Sequence, residues 1–162
     1  MNLPTNHILK TRYRIEEMLG QGGFGKTYKA YDNLSSSYLC VKELFISGSS
    51  TRGSNNTVNS ESLGGISFAE FKAKFLKEAR ELAKFNHPNI VRVVDVFEEN
   101  NTAYFVMQFV DGETLKARVK RQGALPRGEA IKIMEQLLVA VEEVHRMKKL
   151  HRDIKPDNVI IT

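Results

Sequence analysis

Short apolar segments bounded by turn-forming residues recur along the first two thirds of the chain and predict β-strands. Residues 13–19 and 38–42 form two such segments, and residues 28–31 fit the second strand of a hairpin. Residues 90–97 and 103–109 form a later pair, separated by a polar turn of Glu and Asn. Gly, Asn, Asp and Ser cluster near the ends of several segments, as expected where a chain reverses direction. The pattern therefore predicts strands joined by tight turns.

Helical periodicity marks two other segments. Ser67 and Glu70 have the spacing of a capping box, and Ile66 and Phe71 flank them like a hydrophobic staple, so a helix should begin here. A longer helix is predicted over residues 126–147. The apolar stripes are Phe68, Phe71, Phe75, Ala79 and Leu82 in the first helix and Ala130, Met134, Leu137, Val141 and Val144 in the second. Because strands and helices are segregated along the chain, the predicted fold class is α+β.

Residues 47–65 interrupt this pattern. Fifteen of these nineteen residues are Ser, Gly, Asn or Thr, and only two are apolar. Such a composition favours a flexible insertion between ordered elements.

Composition narrows the class of protein. The chain has 162 residues, of which 41% are hydrophobic and 27% are charged, so a wholly disordered chain is excluded. No apolar run approaches the ~18 residues that span a membrane, and residues 1–7 lack the pattern of a signal peptide. A single cysteine and a net charge of +5 give little reason to expect a disulfide or a nucleic-acid partner. We therefore expect a cytoplasmic protein with no membrane segment in this chain.

Residues 20–27, Gly-Gln-Gly-Gly-Phe-Gly-Lys-Thr, satisfy two phosphate-binding patterns at once. One is the glycine-rich loop G-x-G-x-x-G, and the other is the P-loop G-x-x-x-x-G-K-T. In both, glycines let backbone N–H groups approach phosphate oxygens. A P-loop also requires Lys26 and Thr27 to begin a helix, whereas the residues that follow favour a strand and soon reach a turn. The glycine-rich loop is therefore favoured, and the P-loop is the alternative.

Charged residues at three further places suggest chemistry. Lys42 ends an apolar strand, and Glu78 lies along the apolar face of the first predicted helix, where a carboxylate needs a cation. Lys42 is the candidate partner, and a solvent-facing Glu78 at the helix edge is the alternative. Residues 151–158, His-Arg-Asp-Ile-Lys-Pro-Asp-Asn, combine carboxylates, cations and an amide at a spacing that suits phosphoryl transfer. A charged loop without chemistry is the alternative here.

These motifs follow the order found in the eukaryotic-type serine/threonine protein kinase family, which the chain resembles from about residue 13 to its end. Residues 87–91 and 104–110 resemble the turn after the regulatory helix and the hinge strand of that family. The resemblance implies an N-terminal extension over residues 1–12 and a small lobe over residues 13–110, an antiparallel sheet with one regulatory helix. The first helices of the mainly α large lobe would follow over residues 111–162. ATP and Mg²⁺ are the implied cofactors, and a protein with a Ser or Thr acceptor is the implied substrate.

The resemblance also implies roles for individual residues. Lys42 would contact the α- and β-phosphates, held by an ion pair with Glu78. Asp153 would accept the proton of the substrate hydroxyl, Lys155 would neutralise charge on the γ-phosphoryl group, and Asn158 would bind Mg²⁺. The residues implied to contact the nucleotide are Leu19, Gly20, Gln21, Gly22, Gly23, Phe24, Gly25, Thr27, Cys40, Lys42, Met107, Gln108, Phe109, Val110 and Ile160.

The chain departs from the family pattern in several places. Thr27 stands where the family usually has valine and Cys40 where it has alanine, and both are small enough to leave the adenine site open. The sequence stops at Thr162 without the Asp-Phe-Gly motif, so we expect residues 1–162 alone to be inactive. The helix over residues 126–147 would then expose its apolar stripe and favour oligomers. A non-catalytic nucleotide-binding or regulatory module on the same small-lobe scaffold is the alternative function.

Overall fold

Two compact units make up the protein. The structure is a computed structural model that describes residues 1–162. The first unit contains Met1–Lys84 and Arg92–Phe109, and the second contains Phe85–Val91 and Val110–Thr162. No helix in either unit has both the length and the apolar character needed to cross a membrane.

A six-stranded sheet is the framework of the first unit. The elements of this unit are β1 (Ile8–Leu9), β2 (Tyr13–Gln21), β3 (Gly25–Asp32), β4 (Ser37–Leu44), β5 (Ser50–Arg52), β6 (Val58–Ser60), α1 (Phe68–Leu82), β7 (Val93–Glu99) and β8 (Thr102–Gln108). The strand order is β1-β2-β3-β4-β8-β7, and every neighbouring pair is antiparallel. The strands predicted from the sequence are confirmed, with ends that differ by at most three residues.

The two faces of this sheet have different neighbours. Tyr28 and Ala30 of β3 are fully buried on one face, where they join the main hydrophobic core. Helix α1 packs on the other face, where the ring of Phe75 lies 5.2 Å from that of Phe105, centroid to centroid. The residues of the main core are Leu3, Leu9, Tyr13, Ile15, Tyr28, Ala30, Leu39, Val41, Tyr104 and Val106.

Helix α1 begins with the predicted capping box. The Ser67 hydroxyl accepts a hydrogen bond from the backbone N–H of Glu70 at 3.3 Å, and the Glu70 carboxylate accepts one from the Ser67 N–H at 2.8 Å. These bonds satisfy donors that the first turn of a helix otherwise leaves unpaired. They also lower the pKa of Glu70, which therefore stays charged at the positive end of the helix dipole.

Residues 47–65 are more ordered than their composition suggests. They contain the antiparallel hairpin of β5 and β6, in which Arg52 and Val58 are buried. The Val58 N–H donates to the carbonyl of Asn100 at 2.8 Å, and the Asn101 side chain donates to the carbonyl of Val58 at 3.0 Å. The sequence predicts a flexible insertion here, whereas in the structure Arg52 and Val58 attach the hairpin to the rest of the first unit, a role that composition cannot reveal.

Residues 1–12, predicted as an N-terminal extension, pack within the first unit. Strand β1 pairs with β2, and Leu3 and Leu9 are part of the buried core. The Lys26 ammonium donates to the carbonyl of Met1 at 2.7 Å. The beginning of the chain therefore covers one face of the sheet.

The second unit is mainly helical. Its elements are β9 (Glu113–Thr114), α2 (Leu115–Gln122), α3 (Arg127–Arg146), a 3-10 turn (Pro156–Asn158) and β10 (Ile160–Ile161), and β9 pairs with β10. The long predicted helix is confirmed to within one residue at each end. Only Ala140 and Val144 of α3 are buried. Its exposed apolar residues are Ile131, Met134, Leu138 and Val139, so Met134 of the predicted stripe faces solvent.

A buried carboxylate joins the sheet to the β5–β6 hairpin. Glu43 on β4 is fully buried, and the Arg52 guanidinium donates to its Oε2 at 2.6 Å. The hydroxyls of Tyr28 and Tyr104 donate to the same carboxylate, at 3.1 and 2.8 Å. Burial, followed by the charge of Glu43, raises the pKa of both tyrosines, so both hydroxyls keep their protons. Three donors thus replace water around this charge.

We predict that Arg52→Ala strongly destabilises the first unit. The substitution leaves Glu43 buried without its cation, so the free energy of unfolding should fall by about 3–5 kcal/mol. Lys72→Ala is the matched control, because Lys72 pairs with Glu98 at the surface and such pairs contribute about 0.2–1 kcal/mol. Urea denaturation followed by circular dichroism measures both. Equal losses in the two variants would contradict the prediction, and adding Glu43→Gln to Arg52→Ala should recover part of the stability.

Candidate active site

The glycine-rich loop leaves three of its glycines open to a ligand. A Cβ added at Gly25 would lie 2.9 Å from the carbonyl oxygen of Glu43, so packing against β4 requires glycine there. A Cβ at Gly20 or Gly23 would meet no atom within 4 Å, and one at Gly22 would lie 4.0 Å from the nearest. Packing within the chain does not explain these three glycines. Close approach of a phosphate to the backbone would explain them.

The P-loop alternative is wrong. Lys26 and Thr27 lie on strand β3, so the loop does not begin a helix. The Lys26 side chain lies on the buried face of the sheet, where it is 2% exposed and donates to the Met1 carbonyl. A P-loop lysine has to reach phosphates in front of a helix N-terminus, and neither condition is met here.

Lys42 lies next to the glycine-rich loop on the other face of the sheet. The strand register aligns Thr27, Lys42 and Phe105 across β3, β4 and β8, and facing residues of paired strands project to the same side. The Lys42 ammonium lies 5.5 Å from the centroid of the Phe105 ring. Its Cε lies 3.4 Å from the position that a Cβ of Gly25 would take. This location would let Lys42 contact a phosphate held by the loop.

The predicted ion pair between Lys42 and Glu78 is absent from this structure. Glu78 is exposed on α1, and none of the ion pairs of the protein joins it to Lys42. The buried residues of α1 are Leu76 and Ala79, so the buried face is narrower than the apolar stripe and Glu78 falls at its edge. A hydrated carboxylate needs no cation. The solvent-facing alternative for Glu78 is therefore the one observed.

Residues expected around adenine fall in both units. Cys40 pairs in register with Met107, so these two side chains share the sheet face that carries Lys42. Met107 also packs against the cluster between α1 and the sheet. The first unit also contains the expected residues Gln108, Phe109 and the exposed Leu19. The expected residues Val110 and Ile160 belong to the second unit. The structure therefore brings Thr27, Cys40, Lys42 and Met107 onto one surface.

Three residues of the 151–158 loop converge in the second unit. The Lys155 ammonium lies 2.9 Å from Oδ1 of Asp153. The Asn158 side-chain N–H group donates to Oδ2 and to the backbone carbonyl of Asp153, both at 2.8 Å. These hydrogen bonds, first that of Lys155 and then that of Asn158, lower the pKa of Asp153 and keep it a carboxylate at neutral pH. The amide oxygen of Asn158 stays open to a cation.

Strands β9 and β10 hold this loop in place. A Cβ at Gly112 would overlap the carbonyl oxygen of Ile161, so only glycine lets the two strands come together. Lys116 of α2 forms an ion pair with Asp157 at 2.8 Å, inside the 3-10 turn. Sequence reasoning missed Gly112 and Lys116, because nothing in a single sequence shows that β9 and β10 pair.

Sequence reasoning also missed two contacts at the tip of the glycine-rich loop. The ring of Phe24 stacks on that of Phe71 in α1, with centroids 5.8 Å apart. The Gln21 side chain donates to the hydroxyl of Ser47 at 2.9 Å. Ser47 had no recognisable signal because it lies in a serine-rich stretch.

Comparisons with known proteins agree with this arrangement. Residues 13–162 match the protein kinase domain family. The serine/threonine-protein kinase PrkC of Bacillus subtilis is 33% identical over 150 residues, which are 93% of this chain and 20% of PrkC. The serine/threonine-protein kinase PknA of Mycobacterium tuberculosis is 35% identical over 159 residues, which are 95% of this chain and 33% of PknA. The solved structure of PpkA-294 in its apo form has a TM-score of 0.89 and 31% identity, covering 99% of this chain and 58% of that one.

The chain belongs to the protein kinase domain family. The likeness to PpkA-294 confirms the predicted α+β, protein-kinase-like fold. The chain spans a limited part of the curated relatives described above, between 20% and 33% of their length.

We predict that Cys40 reacts slowly with alkylating reagents at neutral pH. Burial raises the pKa of its thiol to about 11, so the reactive thiolate is scarce at pH 7. The rate of iodoacetamide labelling, measured by mass spectrometry, should rise about tenfold per pH unit up to roughly pH 10. A free cysteine peptide is the control, and its rate should level off above about pH 9. A Cys40 rate that levels off with the peptide would show that the thiol is not shielded.

Proposed function

We propose that the protein is a serine/threonine protein kinase, which transfers the γ-phosphoryl group of ATP to a Ser or Thr hydroxyl of a protein. The observation that carries this proposal is the convergence of Asp153, Lys155 and Asn158. One short loop thereby offers an acceptor for the hydroxyl proton, a cation for the moving phosphoryl group and an oxygen for a metal ion. The names of the relatives PrkC and PknA support the same assignment.

ATP suits the sheet face that carries Lys42. The open glycines at positions 20, 22 and 23 offer backbone N–H groups to phosphate oxygens. Lys42 adds a positive charge for the α- and β-phosphates. Thr27 and Cys40 are small and lie on the same face, which leaves room for the adenine ring. Because ATP is the phosphoryl donor, we propose that this domain works in the cytoplasm.

Asp153 orients the acceptor hydroxyl. Its lowered pKa makes it a weak base, so the carboxylate accepts a hydrogen bond from the hydroxyl and takes the proton late, as the new P–O bond forms. Lys155 lies next to Asp153, so its positive charge is close enough to stabilise the phosphoryl group during transfer. Lysine within the run Asp-Ile-Lys-Pro resembles the serine/threonine class rather than the tyrosine class, which supports an aliphatic hydroxyl as acceptor.

We propose Mg²⁺ as the metal ion, held in part by the amide oxygen of Asn158. The two N–H donations from Asn158 turn that oxygen away from Asp153 and leave it without a partner in the chain. No group of three or more His, Cys, Asp and Glu side chains converges on a metal site in this chain. Phosphate oxygens are therefore expected to complete the ligand set. Bound Mg²⁺ supplies positive charge that offsets the phosphates.

A non-catalytic nucleotide-binding or regulatory module is the second candidate. The missing ion pair between Lys42 and Glu78 favours it, because active kinases need this pair in place. Under this candidate the protein binds ATP but phosphorylates no substrate.

We predict that Lys42→Met strongly slows phosphorylation of a generic basic protein by the full-length protein. The phosphates lose a charge that the neutral side chain cannot replace, so kcat/KM should fall about 10²- to 10³-fold. Lys26→Met is the matched control, because it removes a lysine from the opposite face of the same sheet. It should keep kcat/KM within about threefold, provided that circular dichroism shows both variants folded. Equal activity of the two variants would contradict the role given to Lys42.

We predict that Asp153→Asn separates transfer from binding. The carboxamide keeps the shape of the side chain but accepts no proton, so phosphorylation should be lost while ATP affinity, measured by calorimetry, is retained. ATP binding without phosphorylation by the full-length wild type would favour the second candidate instead.

We also propose that a polypeptide of residues 1–162 self-associates through α3. Leu138 is 63% exposed and Met134 is 54% exposed on this helix, next to further apolar residues. Leu138→Glu should shift the sedimentation coefficient toward the monomer, whereas Lys132→Glu, an exposed polar position of the same helix, should not. A monomeric wild type in analytical ultracentrifugation would exclude this association.

A further inference from the structure

Ser47 contacts the tip of the glycine-rich loop from outside it. Its hydroxyl accepts a hydrogen bond from the Gln21 side chain at 2.9 Å and donates one to the carbonyl of Gly22 at 3.2 Å. Its backbone N–H donates to the carbonyl of Gly23 at 2.9 Å. Ser47 therefore makes three hydrogen bonds to three successive residues of the loop.

Neighbouring contacts extend this attachment on both sides. The N–H of Phe45 donates to the carbonyl of Phe24 at 3.2 Å, one step further along the loop. Phe24 is 57% exposed, yet its ring stacks on that of Phe71 in α1. The loop is thus attached along its backbone to the segment that follows β4, and by one ring to the helix.

The segment that bears Ser47 is itself fixed. Ile46 is buried, and its N–H donates to the Ser50 hydroxyl at 2.9 Å, while the Ser50 N–H donates to the Ile46 carbonyl at 2.8 Å. Arg52, two residues further on, is buried against Glu43. Ser47 is itself exposed, but hydrogen bonds between Ile46 and Ser50 fix the segment on both sides of it.

A loop of four glycines loses much conformational freedom when it closes over phosphates. Contacts that hold its backbone beforehand reduce that loss and so raise the affinity for the ligand. We infer that Ser47 is a positioning residue for the glycine-rich loop, and that residues 47–65 act through it on phosphate binding. This inference rests on the proposed binding of ATP, and it concerns a residue of the insertion rather than of the loop.

Ser47→Ala tests the inference in the full-length protein. Alanine keeps the N–H bond to Gly23 and loses both hydroxyl bonds, so the Kd for ATP should rise about threefold to tenfold. The Kd for adenosine should stay unchanged, because adenosine has no phosphate for the loop to hold. Isothermal titration calorimetry measures both ligands. A selective loss for ATP is the result that a merely destabilising change would not give.

Two matched variants complete the test. Ser49→Ala removes a hydroxyl two residues away that makes no hydrogen bond, and it should leave both affinities unchanged. Ser47→Thr keeps the hydroxyl and should restore the affinity for ATP to within about twofold of the wild type.

The outcomes distinguish this inference from the proposed function. A wild type that binds ATP while Ser47→Ala binds it equally well would overturn the inference alone. Equal weakening of ATP and adenosine would also overturn it, because the loss would then lie outside phosphate binding. A full-length wild type that binds no ATP would overturn the proposed function and the inference together.

Discussion

Side chains alternate between the two faces of strand β4, so Lys42 and Glu43 point to opposite sides of the sheet. Arg52 and two tyrosine hydroxyls hydrogen-bond to Glu43 on the buried side. A shift of the strand by one residue would turn Glu43 to the other face and leave these buried donors without an acceptor. The same shift would place Lys42 in the core. Burial of the glutamate therefore fixes the register that places the lysine on the opposite face, beside the glycine-rich loop.

Hydrogen bonds between residues close in sequence organise the 151–158 loop. Its polar residues hydrogen-bond to one another and are largely open to solvent, so hydrogen bonding more than burial sets the charge of Asp153. The pairing of β9 with β10 and the ion pair between Lys116 and Asp157 hold the loop in position. In the first unit, burial of the Glu43 carboxylate thus fixes the position of Lys42. In the second unit, hydrogen-bond donors around Asp153 keep that carboxylate charged.

Features with a local signal were predictable from the sequence. The capping box, the strands and the convergence in the 151–158 loop all depend on residues a few positions apart. The absence of the predicted ion pair between Lys42 and Glu78 was not predictable, because periodicity cannot separate the edge of a helix face from its centre. The ordered hairpin was missed for a related reason, since it depends on Arg52 meeting Glu43 across a tertiary contact. Composition reports how polar a segment is and says nothing about which single side chain anchors it.

Four glycines of this protein fall into two groups that selection would treat differently. Gly25 and Gly112 are required by backbone atoms of the chain itself, so any other residue at either position disturbs folding. Gly20 and Gly23 face open space, and a side chain there costs the folded protein little. In a library of random variants sorted only for folded protein, the first group would stay glycine while the second would drift. Under the proposed binding of ATP, a screen for activity would preserve both groups.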